Sequence, residues 1–157
     1  MAVHHRLIGR AARLVWRVTK PRTIGVRAVL LEQHDLIALV RHTYTEAWSL
    51  PGGGVKKGES VEAALLQELK EEVAVVDPQI ERVLGVYHSR REAKDDHIVN
   101  LPLARFQTLH VIFRRQDPME VAEPRWFPLD QVPASTSAAT ARRIAEYRSG
   151  ATELGAW

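Results

Sequence analysis

The stretch from Leu50 to Val75, LPGGGVKKGESVEAALLQELKEEVAV, constrains the fold of this chain more than any other segment. Its three consecutive glycines permit a sharp turn whose main-chain groups can approach a ligand closely. Ser60 is a suitable N-cap for a helix over residues 61–73, and Glu62 lies near the positive end of that helix. The segment therefore predicts a glycine turn followed closely by a helix.

One side of the predicted helix is acidic, because Glu68, Glu71 and Glu72 fall within a sector of about 100°. The neighbouring sector is apolar and should face the core: Leu65, Leu66, Leu69 and Val73. Like charges at these spacings repel by roughly 0.2–0.5 kcal/mol per pair on an exposed helix, and repel more strongly beside a buried face. A cation would relieve that repulsion, and oxygen ligands without His or Cys favour Mg²⁺ or Mn²⁺ over zinc.

A hard metal beside a glycine turn suits phosphate chemistry, because such a metal bridges phosphate oxygens and activates water. The alternative interpretation is an exposed acidic helix face that merely follows a turn. The PGGG sequence upstream and Gly58-Glu59 at the start of the helix argue against that alternative.

The same stretch resembles the Nudix box, in which Gly and Glu are separated by five residues and a further seven precede Arg-Glu, an aliphatic residue, any residue, Glu-Glu, any residue, Gly and an aliphatic residue. Gly53 opens the box, Glu59 follows, and QELKEEVAV completes it without a gap. The flanking sequences RHTYTEAWSLPGGGV and EPRWFPLDQVP also resemble those of MutT-like bacterial Nudix proteins. The resemblance implies an α+β Nudix fold, with a mixed β-sheet sandwiched between helices.

The resemblance further implies a Mg²⁺- or Mn²⁺-dependent hydrolase that cleaves a nucleoside diphosphate linked to a group X. Its metal ligands would be three carboxylates and one glycine carbonyl: Glu68 and Glu72 as the principal pair, Glu71 as the third, and Gly52 or Gly53. Glu59 would have an accessory or structural role. A module of the same fold that binds a nucleotide without hydrolysing it is the second hypothesis.

Two residues depart from the Nudix pattern. Gln67 stands where the family has Arg, so it can donate a hydrogen bond to a carboxylate but lacks the charge. Ala74 stands where the family has Gly, whose left-handed conformation ends the helix. Ala adopts that conformation at a cost of about 1 kcal/mol, unless the chain takes another route. Neither departure removes a predicted ligand.

Residues outside the box supply further candidates. Candidate general bases are acidic residues that could otherwise be exposed loop side chains: Glu92, Asp95, Asp96, Glu120 and Glu123. Arg27 and Arg41 could contact phosphate or form salt bridges at strand ends. His42 and Tyr44 could stack on a base or sugar. The remaining aromatic candidates are expected in the core: Trp48, Trp126 and Phe127.

The first 31 residues carry seven Arg or Lys side chains and no acidic residue. Because the whole chain has a net charge of +3, the remainder sums to −4. Residues 5–19 have the apolar period of a basic amphipathic helix, and the chain divides into this arm, residues 1–20, and a Nudix domain, residues 21–157. The helix could pack on the domain or on a second subunit, lie on an anionic membrane, or contact nucleic acid. Its apolar stripe favours packing.

Strand-like segments dominate the rest of the chain: residues 23–31, 36–41, 80–88, 97–106, 109–114 and 123–127. A loop is expected over residues 90–96 and a last helix over residues 137–148. The chain has no cysteine, which excludes disulfides and thiol nucleophiles. Its longest aliphatic run is only five residues, Leu36 to Val40, and no signal-peptide core is apparent. We therefore expect a cytoplasmic protein.

Overall fold

The computed structural model describes residues 22–32, 35–90, 95–104, 107–108 and 121–157. In these residues the chain forms two helices, α1 (Val61–Val73) and α2 (Ala138–Ser149). Ten strands accompany them: β1 (Arg22–Glu32), β2 (Leu36–His42), β3 (Trp48–Ser49), β4 (Val75–Val76), β5 (Gln79–Ile80), β6 (Gly85–Ser89), β7 (Asp95–Ala104), β8 (Gln107–Thr108), β9 (Val121–Pro128) and β10 (Glu153–Ala156).

Eight of the described strands form one mixed sheet in the order β10-β6-β7-β1-β2-β3, with β5 beside β7 and β9 beside β2. The β1–β7 and β10–β6 pairs are parallel and the other pairs are antiparallel. Strands β4 and β8 form a separate antiparallel pair. Strands β1 and β2 pair only near their connection, at Leu31–Ile37 and Glu32–Leu36. They diverge beyond it, which leaves room for another segment beside the first half of β1.

The two helices cover opposite faces of the sheet. Side chains alternate between these two faces along β1, so neighbouring residues of this strand belong to different hydrophobic clusters. Val26, Ala28 and Leu30 belong to the cluster that packs against α1. Val29 and Leu31 belong to the cluster that includes Ile144 of α2. The prediction of an α+β fold with a mixed sheet between helices is confirmed.

Local sequence signals placed both helices well. Helix α1 has the predicted bounds, and the Ser60 hydroxyl accepts the Ala63 N–H at 3.0 Å as an N-cap. Helix α2 is displaced from its prediction by one residue and ends at Gly150, which has a φ of 71°. Leu65, Leu69 and Val73 are buried, as the apolar period of α1 indicated.

Strand boundaries were predicted less well. A single strand over residues 80–88 is wrong, because residues 81–84 belong to no strand. The segment stays beside β7, where the Glu81 and Leu84 N–H groups donate to the Pro102 and Asn100 carbonyls. The loop over residues 90–96 is also wrong at its end, since Asp95 and Asp96 already pair within β7. Periodicity did not indicate the two-residue strands, because so short a segment has no repeat of its own and is defined by its pairing with another strand.

Some predictions lie outside the described residues: the helix over residues 5–19, with its domain boundary, and the strand over residues 109–114. Across the part of the chain that the structure describes, no helix has the length and apolar character needed to cross a membrane.

Candidate active site

The glycine segment fills the space where β1 and β2 diverge and is bonded to β1 like an additional strand. The Val26 N–H donates to the Gly53 carbonyl at 2.9 Å, and the Ala28 N–H donates to the Pro51 carbonyl at 3.0 Å. The Val55 N–H donates to the Ile24 carbonyl at 2.8 Å. Because α1 packs on the same strand, the turn and the acidic helix are held against one another.

Gly52 connects this turn to the most buried carboxylate of α1. Its N–H donates to Oε2 of Glu72 at 2.7 Å, and Glu72 is only 7% exposed. Gly52 has a φ of 135°, and a Cβ at this position would lie 2.2 Å from the Val26 carbonyl oxygen. Only glycine fits here, because the backbone conformation and the close approach to β1 both exclude a side chain.

Gly53 makes room for the second carboxylate. A Cβ on Gly53 would lie 2.2 Å from Oε1 of Glu68, so the carboxylate occupies the space that a side chain would fill. Glu68 and Glu72 are one helical turn apart on α1 and therefore share a face. The structure brings both principal carboxylates of the sequence prediction to the glycine turn.

The other acids of the box have different surroundings. Glu71 is exposed and accepts a hydrogen bond from Nε2 of Gln67 at 2.9 Å. Gln67 thus contacts a carboxylate of the box as a neutral donor. Glu59 accepts the Lys56 N–H at 3.0 Å, which closes the loop before α1 and fits the structural role expected of it.

These residues fit a hard divalent cation that shares its coordination with a substrate. Within the described ranges, no group of three acidic or histidine side chains is arranged to hold a metal by itself. Mg²⁺, however, is commonly bound by one or two carboxylates together with phosphate oxygens and water. Glu68 and Glu72 supply such a pair beside the glycine turn.

Ala74 ends α1 in the left-handed conformation, with a φ of 54° and a ψ of 30°. Its N–H donates to the Leu69 carbonyl, as a helix C-cap does. The chain therefore follows the course that the family's glycine would allow, despite the cost of about 1 kcal/mol for a Cβ in this conformation.

Arg27 is the substrate-binding candidate beside the turn. A Cβ built on Gly52 would lie 3.0 Å from the Arg27 Cα. Arg27 is half-buried, and its Nη1 donates to the neighbouring Val26 carbonyl at 3.1 Å.

Arg41 has the alternative role that the sequence left open, a salt bridge at a strand end. It pairs with Glu123 at 2.8 Å, and its guanidinium lies 5.3 Å from the ring centre of Trp48. His42 and Tyr44 stack on each other with ring centroids 5.2 Å apart, and Tyr44 is largely exposed.

The aromatic residues expected in the core are placed there. Trp48 is 5% exposed and packs edge-on against Phe127, with ring centroids 4.9 Å apart. Trp126 is partly buried and packs on the opposite cluster, beneath α1.

The candidate bases that the structure describes are engaged by basic side chains or lie in the sheet. Asp95 is hydrogen-bonded to His88, and this bond holds the pKa of the Asp95 carboxyl below its ordinary value. Asp96 is half-buried in β7, and Glu123 pairs with Arg41 and Arg125. Glu92 and Glu120 lie outside the described residues.

Sequence reasoning missed Asn100, which is completely buried in β7. It is the parallel-register neighbour of Arg27. Neither amide atom of its side chain has a hydrogen-bond partner in the described structure. The signal available in the sequence was a single polar residue in the apolar run IVNLPL, which gives no information about burial.

Comparisons with known proteins bear on the family and the fold of this chain. A family model for the NUDIX domain matches residues 21–147. A Bacillus subtilis protein, provisionally named an 8-oxo-dGTP diphosphatase, is 26% identical over 132 residues, with 84% of each chain covered. An ADP-ribose pyrophosphatase of Methanocaldococcus jannaschii is 32% identical over 75 residues, which cover 46% of this chain and 44% of that protein. A solved NUDIX hydrolase from Nitrosomonas europaea superposes with a TM-score of 0.67 at 23% identity, covering 84% of this chain and 92% of that one.

Proposed function

Because the chain belongs to the Nudix family of hydrolases, which act on phosphoric anhydrides, we propose that it is a divalent-metal-dependent pyrophosphohydrolase of nucleotides. Its substrate is a nucleoside diphosphate linked to a further group X. The observation that carries the proposal is the position of two carboxylates at the glycine turn. Glu68 lies beside Gly53, and Glu72 accepts the Gly52 N–H.

The relatives support the substrate class. The two named above are called an 8-oxo-dGTP diphosphatase and an ADP-ribose pyrophosphatase, and a third, from Hahella chejuensis, is called an RNA pyrophosphohydrolase. All three names describe a diphosphatase or pyrophosphohydrolase that acts on a nucleotide, a nucleotide derivative or RNA. We therefore extend the class, but no single substrate, to this chain.

The side chains of this site have separable roles. Glu72 is oriented by the Gly52 N–H, and the Glu68 carboxylate lies in the space that a side chain on Gly53 would fill, so both carboxylates are placed at the turn and would hold Mg²⁺ or Mn²⁺ there. When bound, such a metal neutralises phosphate charge and lowers the pKa of water. Arg27 lies beside the turn and offers a further positive charge to the phosphates.

A second function is favoured by one observation, the neutral contact between Gln67 and Glu71. A charged donor would orient the carboxylate more strongly than Gln does. With weaker orientation, the same fold would bind a nucleotide without turning it over. The two functions differ in whether phosphate is released, which one assay decides.

The test begins with metal binding in the absence of substrate. Mg²⁺ should raise the melting temperature of the protein, because a ligand of the native state stabilises it by mass action. The variant Glu68→Gln/Glu72→Gln should lose this response. Glu62→Gln, which removes an exposed carboxylate from the first turn of the same helix, should keep it. An equal response in all three proteins would contradict the proposed site.

The activity test is a panel of nucleotides and nucleoside-diphosphate derivatives assayed for phosphate and nucleoside monophosphate release. Glu72→Gln should reduce turnover at least about a hundredfold, equivalent to ~2.7 kcal/mol of activation free energy. Nucleotide binding without release of product by the parent protein would instead support the second function.

A further inference from the structure

The segment that forms the glycine turn is bonded to both helices as well as to β1. Its carbonyl groups accept hydrogen bonds from β1. Two of its N–H groups donate to side chains instead: Gly52 donates to Glu72 of α1, and Leu50 donates to Thr140 of α2. The helix on the far face of the sheet therefore contacts the same short segment that orients a carboxylate of the site.

The contact between Thr140 and Leu50 is buried. Each residue is 1% exposed, and Oγ1 of Thr140 accepts the Leu50 N–H at 3.3 Å. A buried main-chain N–H needs a partner within the protein, because water cannot reach it. Thr140 lies in the first turn of α2, where its own N–H donates to Oγ of Ser137 at 3.2 Å. The hydroxyl is therefore presented from a capped helix end.

Two main-chain hydrogen bonds fix the residue that precedes this contact. The Trp48 N–H donates to the Ser135 carbonyl at 3.1 Å, and the Ser137 N–H donates to the Trp48 carbonyl at 2.9 Å. The start of α2 thus holds the chain at Trp48 and again at Leu50. Gly52 is two residues further on, and a glycine has more backbone freedom than any other residue. Fixing Leu50 restricts the directions in which the Gly52 N–H can point.

We propose that Thr140 is a positioning residue for the metal site, and that it acts through Leu50 to direct the Gly52 N–H at Glu72. The inference rests on the proposed function for the role of Glu72 as a metal ligand. Thr140 belongs to α2, on the face of the sheet opposite α1, so its effect on the carboxylate passes through the backbone. Small displacements matter because a metal site depends on ligands that are already in place.

Three variants separate positioning from general stability. Thr140→Val keeps the shape of the side chain but cannot accept the Leu50 N–H, whereas Thr140→Ser keeps the hydroxyl. Gly150→Ala is the matched control at the other end of α2. It places a Cβ at a φ of 71° and should lower the Tm without touching the turn.

The direct measurement is the NMR signal of the Gly52 amide proton, recorded without metal or nucleotide. A short hydrogen bond to a carboxylate, here 2.7 Å long, deshields this proton. Thr140→Val should move the signal upfield, and Thr140→Ser should return it toward its position in the parent protein. Gly150→Ala should leave it unchanged.

Metal affinity provides the second measurement. Binding of Mn²⁺ in the absence of nucleotide can be followed by the electron paramagnetic resonance of the free ion. Thr140→Val should weaken Mn²⁺ binding about tenfold, the lower end of the effect of removing a group that orients a metal ligand. Thr140→Ser and Gly150→Ala should bind Mn²⁺ as the parent does.

Two results would overturn the proposal: a Gly52 signal that does not move in Thr140→Val, or equal effects of Thr140→Val and Gly150→Ala. Should Thr140→Val fail to fold, Thr140→Cys takes its place, because a thiol of similar size is a weaker acceptor and should move the signal in the same direction. A parent protein that binds no Mn²⁺ would refute the proposed function. The Gly52 signal would then decide by itself whether Thr140 positions the turn.

Discussion

The three glycines of the PGGG segment have different structural roles, although they are the same residue type. Gly52 has a backbone conformation and a contact with Val26 that exclude a Cβ, so it is needed for folding. Gly53 leaves space for the Glu68 carboxylate, so it is needed for the site. A Cβ on Gly54 would meet no atom of the described structure within 4 Å, so glycine is needed there for neither purpose.

Alanine substitution at the three positions should separate these duties. Gly52→Ala should lower the free energy of unfolding by about 1–3 kcal/mol or more, because strain and overlap with the backbone add. Gly53→Ala should leave stability nearly unchanged but lower kcat/KM by up to about a hundredfold, since it displaces a carboxylate. Denaturant unfolding and kinetics on one substrate would measure both effects.

Gly54→Ala is the matched control. It should keep full activity and gain at most ~1 kcal/mol of stability from the smaller entropy of the unfolded chain. Equal losses of activity in Gly53→Ala and Gly54→Ala would show that the contact with Glu68 does not matter.

At the scale of elements, the ends of α1 decide where its carboxylates lie. Ser60 fixes the start of the helix, and Ala74 fixes its end in the left-handed conformation. Helix α2 has Gly150 at the equivalent position, where no Cβ penalty arises. Both helices therefore end at a residue in the left-handed conformation, and only Ala74 carries the free-energy cost of a Cβ in that conformation.

Ala74→Gly should stabilise the protein by about 0.5–1 kcal/mol, because relief of the left-handed strain exceeds the added entropy of the unfolded chain. Urea unfolding would measure the change. Ala145→Gly, at an exposed position inside α2, should instead destabilise by about 1 kcal/mol. A loss of stability in both variants would refute the cost assigned to Ala74.

The β6–β7 pair carries a titratable contact, the hydrogen bond between His88 and Asp95. This bond lowers the pKa of Asp95 in the folded protein from 3.8. The contact therefore stabilises the fold above pH 3.8 and loses its effect as the pH falls through the lowered pKa. Asp95→Asn should reduce stability at pH 6 more than at pH 3, as measured by urea midpoints at both values. An equal reduction at the two pH values would contradict this assignment.

At the scale of the whole molecule, a buried ionic cluster joins α2 to two strands of the sheet. Arg143 of α2 donates to Glu146 at 2.6 Å and to the Ala156 carbonyl of β10 at 3.2 Å. Its guanidinium lies 3.7 Å from the ring centre of Tyr87 on β6, and the Tyr87 hydroxyl donates to Glu146 at 2.6 Å. One side chain thus joins a helix, an inner strand and the edge of the sheet.

Arg143→Met should lower the free energy of unfolding by about 3–5 kcal/mol, because it leaves the Glu146 carboxylate buried without its cation. Arg143→Met/Glu146→Gln should recover part of that loss. Arg142→Met changes an exposed neighbour and should alter stability by no more than ~0.5 kcal/mol. Thermal and urea unfolding of the three variants would provide the comparison. A double variant no more stable than Arg143→Met would argue against an uncompensated charge.

The sequence by itself determined the bounds of α1, the spacing of the box and the pairing of the glycine turn with acidic residues. These features depend on caps and periodicities within about 25 residues, which are visible locally. It also determined the fold class, because resemblance to the motif of a known family implies the fold of that family. The local pattern alone could not rank Glu71 against its neighbour Glu72, since adjacent residues of one helix have nearly the same local signals, and only the resemblance named Glu72 as a principal ligand and Glu71 as the third.

Only the tertiary structure decided that Glu72 is buried on the Gly52 N–H, that Glu71 is exposed beside Gln67, and that Asn100 lies next to Arg27. Each of the long-range contacts joins residues that the chain brings together only when strands and helix pack. The physical reason is that burial and strand register are set by distant partners, whereas a local pattern reports only propensity.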